Sequence, residues 1–143
     1  MTRQNVASGA PWEEIVGYSR LVRIGPHIWV TGTTAFLPGG GHVGDGDAYA
    51  QAMQIGVNLR RALAEVGAGL EHVVRTRMFI TDAADSDAVG RAHEELFGAA
   101  PPVATMVIAR LLDTAWKVEL EVEAELPEDG AAPPPGWDEA GLR

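Results

Sequence analysis

The sequence predicts an α+β fold, a mixed sheet with two helices packed on one of its faces. Three stretches predict it. WKVELEVEAEL, residues 116–126, alternates apolar and charged side chains, the period of a strand that is dry on one side. Residues 48–66 repeat apolar side chains at i, i+3, i+4 and i+7, the period of a helix with one buried stripe. HVVRTRMFIT, residues 72–81, alternates again, so strand and helix follow each other within a chain of 143 residues. That length suits a single domain with a core of its own.

Taken in order, residues 1–14 are expected to be a mobile N-terminal segment, 15–126 one domain, and 127–143 an irregular proline-rich tail. Residues 15–22 and 27–31 read as two strands joined by a turn at Ile24-Gly25-Pro26, with Gly32 ending the second. LPGGGHVGDGD, residues 37–47, resembles a phosphate cradle only in its glycines. It lacks the Gly-Lys-Ser/Thr that opens a P-loop helix, so it reads as a hairpin tip with Asp47 capping the next helix. In that helix Ala52, Ile55, Leu59, Ala62, Leu63 and Val66 share the inward face. The strand over 72–81 sets Val74, Thr76, Met78 and Ile80 against Arg75, Arg77 and Phe79. A second helix follows, with acids in its first turn and Val89, Ala92, Leu96 and Phe97 facing in. PPVATMVIA, residues 101–109, reads as a buried strand or as one wall of a site. In the last strand Val118, Leu120, Val122, Ala124 and Leu126 face in, and Lys117, Glu119, Glu121, Glu123 and Glu125 face out. The order is β-β-α-β-α-β-β. The second sheet face carries an arginine row and a glutamate row, which solvent or a subunit interface would cover.

Composition excludes several functions. Apolar residues make up 46% and charged ones 22%, a globular balance. A net charge of −9, with no basic run, disfavours nucleic acid and anionic membrane as partners. With no cysteine, thiolate nucleophiles, Cys-ligated zinc and iron–sulfur clusters are excluded, and a cytoplasmic location is expected. No secretory signal or membrane span is read in the chain. His27, His42, His72 and His93 show no metal-ligand spacing and read as ordinary surface or turn residues, so neither a metal nor another cofactor is expected. Ser8, Ser19 and Ser86 lie in no nucleophile elbow. The alternate glutamates of the last strand, about 7 Å apart, read mainly as a solvated or ion-paired face. One drawn into a cleft would have a raised pKa and serve as a general base.

GYSRLVRIGPHIWVTG (17–32), GVNLRRALAEVGAGLEHVVRTRMFITD (56–82) and PPVATMVIARLLDTAWKVELEVEAEL (101–126) together resemble the RidA/YjgF family, in order and in spacing. The resemblance covers residues 18–126. It implies a chorismate-mutase-like α+β fold and a homotrimer with small-molecule clefts between subunits. It also implies hydrolysis of reactive enamines and imines, such as 2-aminoacrylate, to a keto acid and ammonia. In active members a strand arginine two residues after a proline clamps the substrate carboxylate, a glutamate in the last strand handles water, and an N-terminal tyrosine lines the cleft. Carried over, Tyr18 matches the tyrosine, Glu119 the glutamate and Gly32 the glycine after the second strand, beside Thr31. The arginine position falls on Ala104, next to Thr105, and Gly90 stands where active members often have asparagine.

An unpaired, desolvated carboxylate costs roughly 2–5 kcal/mol, on the order of 30- to 3,000-fold in recognition. The resemblance therefore implies weak or absent 2-aminoacrylate hydrolysis. It points instead to a small enamine, imine or related intermediate without a carboxylate handle, hydrolysed or tautomerised. Glu119 would be the base and Tyr18 a hydrogen-bonding wall. A non-catalytic trimeric binder is the alternative, and chorismate mutase activity, which would want several cleft arginines, is disfavoured. Arg20 and Arg77 are the candidates to replace the missing cation; Arg110 lies about 20 Å along the strand from Ala104. Pairing with the glutamates is the plainer role for Arg77.

Overall fold

A computed structural model describes residues 2–127. The elements run β1 (Arg3–Val6), α1 (Pro11–Val16), β2 (Leu21–Ile24), β3 (His27–Thr33), α2 (Ala48–Ala64), β4 (Val73–Ile80), α3 (Ser86–Phe97), β5 (Val103–Ile108) and β6 (Val118–Glu125). One six-stranded sheet has the order β1-β2-β3-β6-β4-β5. Only the β4–β5 pair is parallel, as the α3 crossover between them requires.

α2 and α3 lie together on one face, and every apolar residue expected inside them is buried. Gly56 of α2 permits the close helix–helix approach, because a Cβ there would collide with the Leu96 side chain. Opposite them, Ile28, Val30, Met78, Ile80, Val118, Leu120, Val122 and Ala124 form the sheet's dry side, with Leu126 partly buried at its end. Burial of each such side chain contributes about 1.5–3 kcal/mol. Asp47 caps α2 as expected, accepting from the Ala50 N–H at 3.0 Å.

Four expectations need correction. The segment expected to be mobile contains an edge strand, β1, and the helix α1. The strand expected over 15–22 is replaced by α1 and the shorter β2. Pro11 pre-sets the first helical turn, and Gly17, at φ +86°, ends the helix where the Gly17 and Tyr18 N–H groups both donate to Glu13 O. The β-branched Ile15 suggested a strand, yet it is 70% exposed, and the buried residue of α1 is Glu13. Third, β4 carries a bulge: Val73 pairs with Ala124 and Arg75 with Glu123, so Val74 is an extra residue. Val73 takes the dry position and Val74 is exposed. Fourth, His93 is no simple surface residue. It is half-buried, its Nε2 lies 2.7 Å from the Thr76 hydroxyl, its ring packs on Phe97, and burial lowers its pKa. The expected tail lies outside the described residues, apart from Pro127.

Candidate functional site

The outward residues of β6 stand on the sheet face that carries no helix. Glu121 and Glu123 are held by Arg77, whose Nη1 lies 3.1 and 3.3 Å from their carboxylates, so Arg77 takes its plainer role. Arg75 reaches Glu123 at 3.6 Å and the exposed Glu125 faces His27 at 3.5 Å. Among the described residues Glu119 has no such ion pair.

A second bulge sets Glu119 apart. On β3, Val30 pairs with Val122 and Thr33 with Leu120, so three steps along β3 match two along β6. The extra length falls at Thr31 and Gly32, and the Glu119 carboxylate lies directly against Gly32. A Cβ at residue 32 would collide with Glu119 Oε1, so a larger residue there would push the carboxylate off this position. Burial raises the Glu119 pKa, the neighbouring Glu121 charge raises it further, and the positive Arg20 opposes both. A raised pKa makes this carboxylate a stronger base than its exposed neighbours would be.

Arg20 is the cation whose charge acts on Glu119. It is only 6% exposed and its guanidinium is committed inward. Nη2 donates to Glu13 at 3.3 Å, Nη1 reaches Gly32 O at 3.2 Å and the Thr33 hydroxyl at 3.4 Å, and the group lies over the Phe36 ring. Glu13 is held in turn by the Ser8 hydroxyl and N–H. Burial would raise its pKa, but the Ser8 bonds and Arg20 outweigh that and lower it.

The remaining expected residues fall in three places. Tyr18 and Thr31 line a concavity of about 710 Å³ on the open face, with Arg3, Glu13, Trp29 and Arg77. Thr105 lies beside Arg77 on β5 and so shares that face, as do Val103 beside Arg75 and Val107 beside Phe79. Ala104 does not. It pairs with Thr76, whose hydroxyl meets His93 of α3, and therefore faces the helix side. Val103, the residue before Ala104, is on the open face and is likewise uncharged. β5 therefore holds no cation. Gly90 lies in α3, in the layer across the sheet from Glu119, with open space where its Cβ would be. Within one chain, then, Glu119 joins Gly32 and Tyr18 joins Thr31, while Ala104 and Gly90 stand on the other side.

Sequence reasoning missed the Glu13–Ser8–Arg20 network. The only trace of it was Arg20 itself, a charge beside an apolar strand. Among the described residues no group of three or more His, Asp or Glu side chains could hold a metal ion, and no helix is long and apolar enough to cross a membrane.

The profile of the Endoribonuclease L-PSP family matches residues 9–126. The uncharacterized protein SCO2049 of Streptomyces coelicolor is 43% identical over 85% of this chain and 90% of its own length. Protein DfrA of Myxococcus xanthus is 31% identical, covering 87% of this chain and 96% of its own. The crystal structure of Rv2704 from Mycobacterium tuberculosis, a member of the YjgF/YER057c/UK114 family, superposes with a TM-score of 0.80. It is 40% identical, covering 87% of this chain and 100% of that one.

Proposed function

Because the chain belongs to the RidA/YjgF family, we propose that it acts on a small imine or enamine lacking a carboxylate, adding water or moving a proton with Glu119 as the base. The observation that carries this function is the Glu119 carboxylate, seated against Gly32 and raised in pKa by burial. In hydrolysis, Glu119 takes a proton from water as the oxygen bonds to the C=N carbon. It returns that proton to nitrogen, giving a carbinolamine; the proton of the new hydroxyl then passes by way of the same carboxylate to nitrogen, and ammonia leaves as the C–N bond breaks and the carbonyl forms. Tautomerisation uses the same carboxylate to lift a proton from carbon and return one to nitrogen. Tyr18 and Thr105 would supply polar walls.

The substrate class follows from β5. Its open face presents Val103, Thr105 and Val107, none of them charged, and the adjoining Arg75 and Arg77 already face Glu121 and Glu123. The same strand supports a homotrimer with the site between copies. Val103, Val107 and Ile108 are exposed on an edge strand, Ile108 at 63%, and such an edge invites a second chain.

The test is a panel of small imines, with and without a carboxylate, assayed with wild type and Glu119→Ala. Turnover of the uncharged imines is expected to fall by about 10²–10⁴-fold in the variant, with little hydrolysis of 2-aminoacrylate by either protein. Equal, negligible rates for both proteins on every compound would overturn the enzymatic function and leave a binding protein. Rapid pyruvate release from 2-aminoacrylate would overturn the substrate class.

A further inference from the structure

We propose that Arg20 is the positioning residue of this site: its buried guanidinium fastens the Thr31–Thr33 bulge, which gives the Glu119 carboxylate its seat. The inference rests on the function proposed for Glu119.

Arg20 wraps the bulge by four linked hydrogen bonds. Its backbone carbonyl accepts from the Thr31 N–H at 3.0 Å. Its Nη1 donates to Gly32 O at 3.2 Å and reaches the Thr33 hydroxyl at 3.4 Å. That hydroxyl donates onward to Thr31 O at 2.8 Å, and Thr33 is itself buried. The guanidinium thus holds Gly32 and Thr33 directly and Thr31 through the Thr33 hydroxyl, while the Thr31 N–H is held by the Arg20 main chain. The Glu119 carboxylate lies against the same segment, in the space that a Cβ at residue 32 would take.

Stability alone does not explain the arrangement. A buried guanidinium is expensive to desolvate, and an apolar side chain of similar volume would often serve the fold as well. Here the charge has one carboxylate partner, Glu13, and its Nε has no hydrogen-bond partner among the described residues. What the costly group supplies is a fixed β3 backbone under Glu119 and a positive charge close enough to restrain that carboxyl's protonation. The charged groups acting on Glu119 are Glu121 on its own strand and Arg20 from the segment before β2. Its cross-strand neighbour on β4, Phe79, carries no charge. Arg20 is thus unavailable as a clamp for a substrate carboxylate.

Three variants of the full chain test this: Arg20→Gln, Arg20→Lys and Thr33→Val. The titration of the Glu119 side-chain carboxyl is followed by carbon NMR, its signal assigned by loss in Glu119→Gln, and turnover is measured on a neutral cyclic imine. Arg20→Gln is expected to move the Glu119 midpoint upward, because a positive charge is lost. Arg20→Lys keeps the charge, so the midpoint stays near wild type while kcat falls roughly 10- to 100-fold with KM little changed, the signature of a displaced base. Thr33→Val is expected to lower kcat in the same way with the midpoint unmoved. A merely structural Arg20 would lower melting temperatures and leave titration and kcat alone, and that result overturns the proposal. Should Arg20→Gln fail to fold, the kcat effects of the other two decide. Should wild type turn over no imine, the function proposed above fails, while the midpoint shift in Arg20→Gln still decides whether Arg20 sets the state of Glu119.

Discussion

The two faces of the sheet are built from the same strands by opposite rules. On the helix side, every other residue of β6 is buried hydrocarbon, and packing density decides which side chains are tolerated. On the open side, the intervening residues are carboxylates sorted by their neighbours. Glu121 and Glu123 have Arg77, Glu125 faces His27, and Glu119 has a glycine against it and the charge of the buried Arg20. One face makes the strands interchangeable members of a core; the other makes each residue individual. A catalytic candidate arises only on the second.

The largest difference between the faces is expected at two consecutive residues. Leu120→Ala removes a fully buried side chain and should cost about 2–5 kcal/mol of unfolding free energy. Glu121→Ala, one residue on, removes half of a partly exposed ion pair and should cost no more than about 1 kcal/mol, less in high salt. Urea denaturation of both variants measures the pair. Equal losses would mean that a neighbouring protomer buries the open face as thoroughly as the helices bury the other.

A smaller contrast sits at the β4 bulge. Val73 is 3% exposed and Val74 is 47% exposed, although they are the same residue side by side. Val73→Thr places a hydroxyl in the core and should cost about 1–3 kcal/mol, whereas Val74→Thr should stay within about 0.5 kcal/mol. Thermal melts of the two variants check it. Similar losses would remove the bulge from the account of β4.

That bulge also marks how far the sequence could be read. Strict alternation over 118–126 and the helical stripes over 48–66 and 86–97 located the core, because burial leaves a period in the hydrophobic pattern. A bulge breaks the period by one residue without changing composition, so Val74 was put on the dry face and Val73 displaced it. The helix α1 was missed for a related reason: its inward residue is Glu13, and periodicity searches for oil, not for a buried acid. In the site, Glu119 and Gly32 were found through resemblance to a family. Their mutual contact was not legible, since it depends on the extra residue in β3. Ala104 shows the converse limit. Resemblance put the family's arginine position on Ala104, but which face that side chain takes depends on the pairing of β5 with β4, and a shift by one residue reverses it.

The smallest expected effect concerns Glu119 itself, and its sign depends on pH. Burial and the Glu121 charge hold its carboxyl above the usual value in the folded chain. Between the unfolded and folded pKa values the native state therefore binds more protons than the unfolded one, and stability falls as pH rises through that window. Below the unfolded pKa the group is neutral in both states and carries no penalty. Glu119→Gln removes the ionisation, so it is expected to melt like wild type in acid and slightly above it at neutral pH. Glu13 predicts the reverse slope: with its pKa held low by Ser8 and Arg20 against burial, its contribution is present above the unfolded pKa and lost as pH falls through the folded one. Melting temperatures of wild type, Glu119→Gln and Glu13→Gln across this range separate the two carboxylates. A Glu119→Gln variant less stable than wild type at neutral pH would mean that the charge is welcomed at this position, and the open face would then hold no strained acid to serve as a base.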